Sequence, residues 1–450
     1  MTDLAIKPGE DKRPGIWTVV LASSAGTVIE WYDFYLYGSL AIFFSTLFYP
    51  PNEPTAAMLV SVATFATGFV VRPFGALLFG SIGDRLGRKH TFLLTLILMG
   101  ISTTLVGVLP TFETAGYVAP VALVILRLIQ GLAIGGEYGG AAVYVAEHAP
   151  KNRRGFFTSF IQTTATVGFF VAILVVLACR LSLGDEAFKA WGWRIPFLLS
   201  GVLIILSLYL RLKLSESPVF EALRKAGKTS SSPIRESFAT KEGMRYGAYA
   251  LFGATAGLGC VWYTGQFYAL YFLQSVLKLD FLTANICLAV ALAIGTPLIV
   301  MIGALSDKIG RRRLIITGLV SAAALYVPIY QGIASAVASQ NYAIVTALIV
   351  AQLVFVALVY GPMAAFLVEL FPARLRYTSL SLPYHIGTGV FGGFVPLVSL
   401  SLVAYTGNIY AGLGYPIAIA AITAAVNAFC LPRRAEAQEG NPTDVAALNA

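Results

Sequence analysis

The chain has 450 residues, 57% of them hydrophobic and 12% charged, with a formal net charge of +9 and a mean hydropathy of +0.77. Soluble domains carry about 25% charged residues, and a water-soluble fold this apolar would expose patches large enough to aggregate. The basic residues fall in short clusters between apolar runs and not on one solvated face, which argues against nucleic-acid binding.

A bilayer span needs about 20 apolar residues. Twelve such runs follow one another, at 17–46, 56–80, 91–110, 118–147, 156–180, 194–213, 246–276, 281–305, 314–333, 341–371, 378–403 and 410–430. Barrel strands would be alternating segments of about ten residues, so the expected fold is an all-α membrane protein of about twelve transmembrane helices. Residues 1–16 read as a polar N-terminal tail. The apolar run behind them is too long for a cleavable signal. Span 1 carries Glu30 and Asp33, span 2 Arg72, and span 4 Arg127 and Glu137. The longest polar stretch between spans, 214–245, reads as a linker between a first six-helix half (17–213) and a second (246–430). Residues 431–450 form a polar C-terminal tail. The cysteines Cys179, Cys260, Cys287 and Cys430 lie in or beside apolar runs without metal-ligand spacing. They read as packing, and neither a metal nor a cofactor is expected.

The loops alternate in charge. One set holds Arg85, Arg88 and Lys89; Lys151, Arg153 and Arg154; the basic residues between Arg211 and Arg245; Lys308 and Arg311 to Arg313; and Arg374 and Arg376. The other set is nearly free of Lys and Arg. The positive-inside rule makes the first set cytoplasmic, and an even span count then puts both termini on that side.

Two motifs repeat. The loop Gly80-Ser-Ile-Gly-Asp84-Arg85-Leu-Gly87-Arg88 matches Gly303-Ala-Leu-Ser-Asp307-Lys308-Ile-Gly310-Arg311, an offset of 223 (307 minus 84). Glu147-x-x-Pro150-x-x-x-Arg154 matches Glu369-x-x-Pro372-x-x-x-Arg376, an offset of 222 (369 minus 147). Two different motifs at nearly one spacing indicate two related halves. Their placement on one side fits parallel repeats about an axis normal to the membrane, a transporter architecture with its site between the halves. The repeated residues Asp84, Arg85, Arg88, Asp307, Arg311, Glu147, Arg154, Glu369 and Arg376 are expected to gate the basic face, the acids capping helices or pairing with arginines.

Charges inside spans are costly and usually face a cavity or a partner. By helical rise, Asp33 lies about 24 Å from the inner end of span 1 and Arg127 about 13 Å from the outer end of span 4. These two read as a proton-sensitive pair with Glu30 one turn away, or as a permanent pin between spans 1 and 4. Arg127 is also a candidate for holding a substrate carboxylate, since a guanidinium matches one bidentately. Arg72 and Glu137 read as a buried anchoring pair. No HExxH, GxSxG or GxxxxGK[ST] pattern is present, so no enzyme is expected. The glycine-rich stretch at 135–140 lies inside a span and reads as close helix packing.

The repeated loops resemble those of the major facilitator superfamily. More narrowly, the chain resembles its metabolite:proton symporter family. The stretches that carry this are Glu30-Trp-Tyr-Asp-Phe-Tyr-Leu-Tyr-Gly38, Arg127-Leu-Ile-Gln-Gly-Leu-Ala-Ile-Gly-Gly-Glu-Tyr-Gly-Gly140, Trp191-Gly-Trp-Arg-Ile-Pro-Phe197, Glu216-Ser-Pro218 and Glu369-Leu-Phe-Pro-Ala-Arg-Leu-Arg376. The resemblance implies the two-half fold and proton-coupled import of a small, often carboxylated metabolite such as citrate, 2-oxoglutarate, shikimate, an aromatic acid, or proline or betaine. It also implies an acid in span 1 acting with an arginine in span 4. Helices 7 and 11 border the cavity in the resembled fold, which selects Tyr263, Gln266 and Tyr384 as substrate contacts, with Gln130 and Gln162 from spans 4 and 5. Uniport or exchange is the alternative mode. Export ranks below it, because span 5 lacks the proline of the antiporter motif. The expected partners are the small-molecule substrate, protons and the lipid bilayer, with the protein a monomer in a bacterial inner membrane.

Overall fold

The computed structural model describes residues 15–50, 53–86, 88–136, 138–212, 233–371 and 376–430, without side-chain detail at 22, 83–86, 88–90, 92, 210–212 and 233. Among the described residues the chain makes twelve helical rods. The first six are α1 (Ile16–Phe48), α2 (Pro54–Ile82), α3 (Arg88–Val106), α4 (Val118–Gly135 continued by Tyr138–His148), α5 (Arg154–Leu183) and α6 (Arg194–Leu212). The second six are α7 (241–276), α8 (Phe281–Ile309), α9 (Arg311–Ala338), α10 (Tyr342–Leu370), α11 (Arg376–Thr406) and α12 (Gly414–Phe429). Among the described residues, 8 helices are long and apolar enough to cross a membrane by length and composition, or 9 with the pair Asp185–Gly192 and Arg194–Tyr209, bent by 54°.

The rod ends fall within a few residues of the runs read from sequence. The main difference is at α7, which begins at Lys241 inside the expected linker, with Thr240 accepting from the Gly243 amide as its N-cap. Before it a short helix, Pro233–Phe238, is tied to α11 by a hydrogen bond between the Ser379 and Ser237 hydroxyls. The rest of the expected linker, the N-terminal tail to residue 14 and the tail 431–450 lie outside the described residues.

Within the first half α1 packs on α5 and α3 on α6; within the second, α7 packs on α11, α9 on α12, and α10 on both α8 and α9. The halves meet along α5 with α8 and along α2 with α11. Small residues set these approaches. A Cβ at Gly155 would collide with the Ser306 hydroxyl and one at Gly303 with Ser159, so α5 and α8 touch backbone to backbone, as small-residue seams in bilayers do. The glycines of α4 do the same, Gly131 against Gly68 of α2 and Gly139 against Ser381 of α11. The Trp191-Gly-Trp-Arg motif also finds its reason. Arg194 donates to the Gly107 and Leu109 carbonyls just beyond α3, at 3.0 and 2.6 Å, satisfying acceptors that a helix end leaves open.

The sequence does not announce one feature of the rods. In α7, π-helical turns occupy Leu251–Thr255, Thr264–Tyr268 and Phe272–Val276, and in α11 another occupies Ile386–Gly392. Such wide turns concentrate at functional sites, and these two rods flank the centre of the molecule.

Candidate functional site

Between the halves lies a cavity lined by Trp31 and Tyr35 of α1, Arg72 of α2, Leu258, Gly259, Trp262 and Tyr263 of α7, Tyr360 of α10, and Tyr384 and Thr388 of α11. Its volume is about 20 Å³, room for about one water molecule. Among the described residues Arg72 is the one charged residue in the lining. It follows a break in α2 at Val71, where Pro73 removes one rung of the helical ladder. The guanidinium is fully buried and stands 4.2 Å from the Phe34 ring centroid, 4.4 Å from Phe69 and 5.2 Å from Trp31. Its Nε and Nη2 have no hydrogen-bond partner. Neither has the indole Nε1 of Trp262, nor either ring nitrogen of the buried His385 beside the cavity. The phenols pair only loosely, Tyr35 with Tyr263 at 3.4 Å and Tyr360 with Tyr384 at 3.5 Å.

Arg127 is placed differently. It too stands 4.2 Å from the Phe34 ring centroid, and two of its nitrogens are committed to the protein. Nη1 donates to the Phe34 carbonyl at 3.1 Å and to Gln130 Oε1 at 2.7 Å, and Nη2 to the Phe65 carbonyl at 3.5 Å. Gln130 in turn donates to Thr103 at 2.9 Å. Neither residue lines the cavity. Asp33 is buried toward Ser200 of α6, its Oδ1 without a hydrogen-bond partner, and is not paired with Arg127 in this conformation. Glu30 is buried one turn before it.

The other residues singled out from sequence divide. Tyr263 and Tyr384 line the cavity. Gln162 does not. Its carboxamide is consumed as a strut between the halves, accepting from Tyr138 at 2.6 Å and donating to the Tyr360 carbonyl at 3.0 Å. Gln266 is fully buried in a π turn of α7, with neither amide atom bonded. The sequence does not single out the rings of Trp31, Tyr35 and Trp262 as cavity walls, or Arg72 as a lining residue. A signal was present, since Arg72 precedes a proline inside a span.

The cavity is closed on both sides. On the face of the basic loops, Asp307 at the end of α8 accepts from the Gly155 and Phe156 amides of α5 at 2.8 and 2.9 Å. It thereby caps a helix of the other half. Arg311 bridges Asp307 at 2.9 Å and Glu369 at 3.0 Å. The repeated Glu–Arg motifs pair crosswise, Arg154 with Glu369 at 3.8 Å and Arg376 with Glu147 at 3.6 Å. Tyr377 donates to the Gly136 carbonyl at 2.5 Å. The side chains of Asp84, Arg85 and Arg88, and Glu137 as a whole, lie outside the described residues. On the opposite face, Tyr271 donates to the Gly38 carbonyl at 2.6 Å, Phe267 stacks on Phe169 at 4.1 Å, and Arg180 covers Phe281 at 4.4 Å.

Comparison with known proteins agrees with this architecture. Residues 18–244 match the family described as Sugar (and other) transporter, and residues 298–449 match the Major Facilitator Superfamily. An inner membrane metabolite transport protein of Escherichia coli is 38% identical over 425 residues, covering 90% of this chain and 92% of the relative. The chain belongs to the major facilitator superfamily. Two further relatives from E. coli are each 36% identical: an alpha-ketoglutarate permease, with 87% of this chain and 88% of the relative covered, and a shikimate transporter, with 89% and 90% covered. Among solved structures, a partially occluded inward-open form of the E. coli xylose transporter superposes with a TM-score of 0.71 at 20% identity, covering 93% of this chain and 98% of that one. The protein is therefore a multi-pass transporter of small molecules in the bacterial inner membrane, in a family without enzymatic activity.

Proposed function

We propose that this transporter imports a small carboxylated metabolite by proton symport with alternating access, Arg72 anchoring the carboxylate and Asp33 carrying the proton. The observation that carries the reading is the state of Arg72: a guanidinium in the central cavity with two nitrogens unpartnered. A buried donor left unmatched is costly, and a carboxylate offers the planar acceptors that fit a guanidinium fork. The relatives named for alpha-ketoglutarate and shikimate carry carboxylates. Arg127, held by Phe34, Gln130 and Phe65, acts as the rigid neighbour of that site and not as its ligand. Asp33 is one residue from Phe34, whose ring touches both guanidiniums, so a shift of α1 on loading changes the surroundings of Asp33. A lone buried carboxylate is expensive in a membrane interior, which favours moving it only with its proton. The basic face is the cytoplasmic one, and the crossed ion pairs close it.

Uptake by purified protein in proteoliposomes tests this. A labelled carboxylate should accumulate only with an inward proton gradient. Equilibration that ignores the gradient would make the protein a uniporter or exchanger.

A further inference from the structure

The walls of the cavity restrict the class of carboxylate. Trp31, Tyr35 and Trp262 form a column of near-parallel rings, Trp31 to Tyr35 at 5.0 Å and 21°, Tyr35 to Trp262 at 5.2 Å and 24°. Tyr384 lies flat on Tyr138 at 3.6 Å and 6°. With only about 20 Å³ between them, these rings fill the site with one another. Any substrate must part them, and the lost ring-to-ring contact is recovered only by another flat surface. A flexible chain would leave the faces poorly covered.

Charge narrows the class further. Among the described residues Arg72 is the one charged group lining the cavity, and the Arg127 guanidinium, also against Phe34, has Nη1 and Nη2 already donating to protein acceptors. One open fork suits one carboxylate, not two. An aromatic cage can also hold a quaternary ammonium. Here, however, the faces of Trp31, Phe34 and Phe69 already serve Arg72, and a second cation beside it would be repelled. The unpartnered Trp262 Nε1 and the loosely paired phenols of Tyr35, Tyr263, Tyr360 and Tyr384 are available to a ring substituent.

From this juxtaposition of one open guanidinium with a column of parallel rings, we infer that the substrate is a monocarboxylate carried on a flat six-membered ring bearing a hydroxyl group. The inference rests on the carboxylate reading of Arg72. Calorimetric binding to the full chain in lipid nanodiscs tests it with 4-hydroxybenzoate as the ring probe, against hexanoate, 2-oxoglutarate and glycine betaine. The ring acid should bind about tenfold more tightly than each of the others, the scale of one aromatic contact. Trp262→Leu should reduce that ring-over-chain ratio, a change in preference that misfolding cannot imitate. Arg72→Gln should remove binding of every acid. If 2-oxoglutarate or betaine binds as well as the ring acid, or if the ring acid does not bind, the ring assignment is overturned. If instead Arg72→Gln keeps wild-type affinity for the acids, the carboxylate reading beneath it falls.

Discussion

Two guanidiniums share the Phe34 ring, and their different partners separate their roles. Arg127 is fastened to two backbone carbonyls and a carboxamide, whereas Arg72 lines the cavity with two nitrogens unpartnered. Arg72→Gln is therefore expected to weaken substrate binding by roughly 2 kcal/mol or more, the worth of a charge-assisted hydrogen-bond pair, which equilibrium binding will show. Arg127→Gln, by contrast, should lower the amount of folded protein, because it breaks the buried ties from α4 to the Phe34 and Phe65 carbonyls of α1 and α2. Asp33 carries a separate prediction. Asp33→Asn should abolish gradient-driven accumulation and preserve counterflow exchange of substrate. Unchanged accumulation in that variant would make Asp33 a packing residue.

At the scale of elements, the α5–α8 seam and the bent rod α7 matter most. The seam is a contact of Gly155 and Gly303 with serines of the other half, ended by Asp307 capping the first amides of α5. Because the overlap in the closed state is with backbone and short side chains, Gly303→Val has nowhere to relax. It is expected to cost about 1–3 kcal/mol as overpacking. That cost falls on the conformation closed at the basic face, so a cysteine placed in the cavity should become more accessible to a thiol reagent added on that face. Asp307→Ala should act in the same direction by about 1 kcal/mol, the worth of a helix cap. On the other face, α7 presents Phe267 against Gly38, where a Cβ would meet the ring at 2.5 Å. Gly38→Val should hold that face open, which accessibility from the opposite side will detect.

For the whole molecule, the crossed pairs Arg154–Glu369 and Arg376–Glu147 express the two-fold relation of the halves. Each motif supplies an acid to the other half and takes a base from it, so in this conformation the four groups tie the halves together at the basic face. Reversing Glu147 to Arg should open that face and slow transport. Adding Arg376→Glu should restore both, as a coupled pair does in a double-mutant cycle. Recovery of accessibility to the wild-type value is the measurement that checks the pairing.

Much of this was legible before any coordinates. Apolar run length decided the helices, because a bilayer demands satisfied backbones over a set thickness. The repeated Asp84/Asp307 and Glu147/Glu369 motifs decided the two halves, because internal duplication survives in loops with tight turns and charge. The direction each side chain faces was not legible. Whether Arg72 or Arg127 opens to the cavity depends on the rotation of α2 and α4 about their own axes, and that rotation is set by glycine contacts such as Gly131 on Gly68. The π turns of α7 and α11 have no composition signal. The Glu–Arg motifs, identical in both halves, left partner choice open until the halves were docked. The sequence by itself thus determined the span count, the duplication and the presence of buried charge, all consequences of local chain chemistry in lipid. Only the tertiary structure decided which charge lines the cavity, because azimuth and pairing are properties of packed helices together.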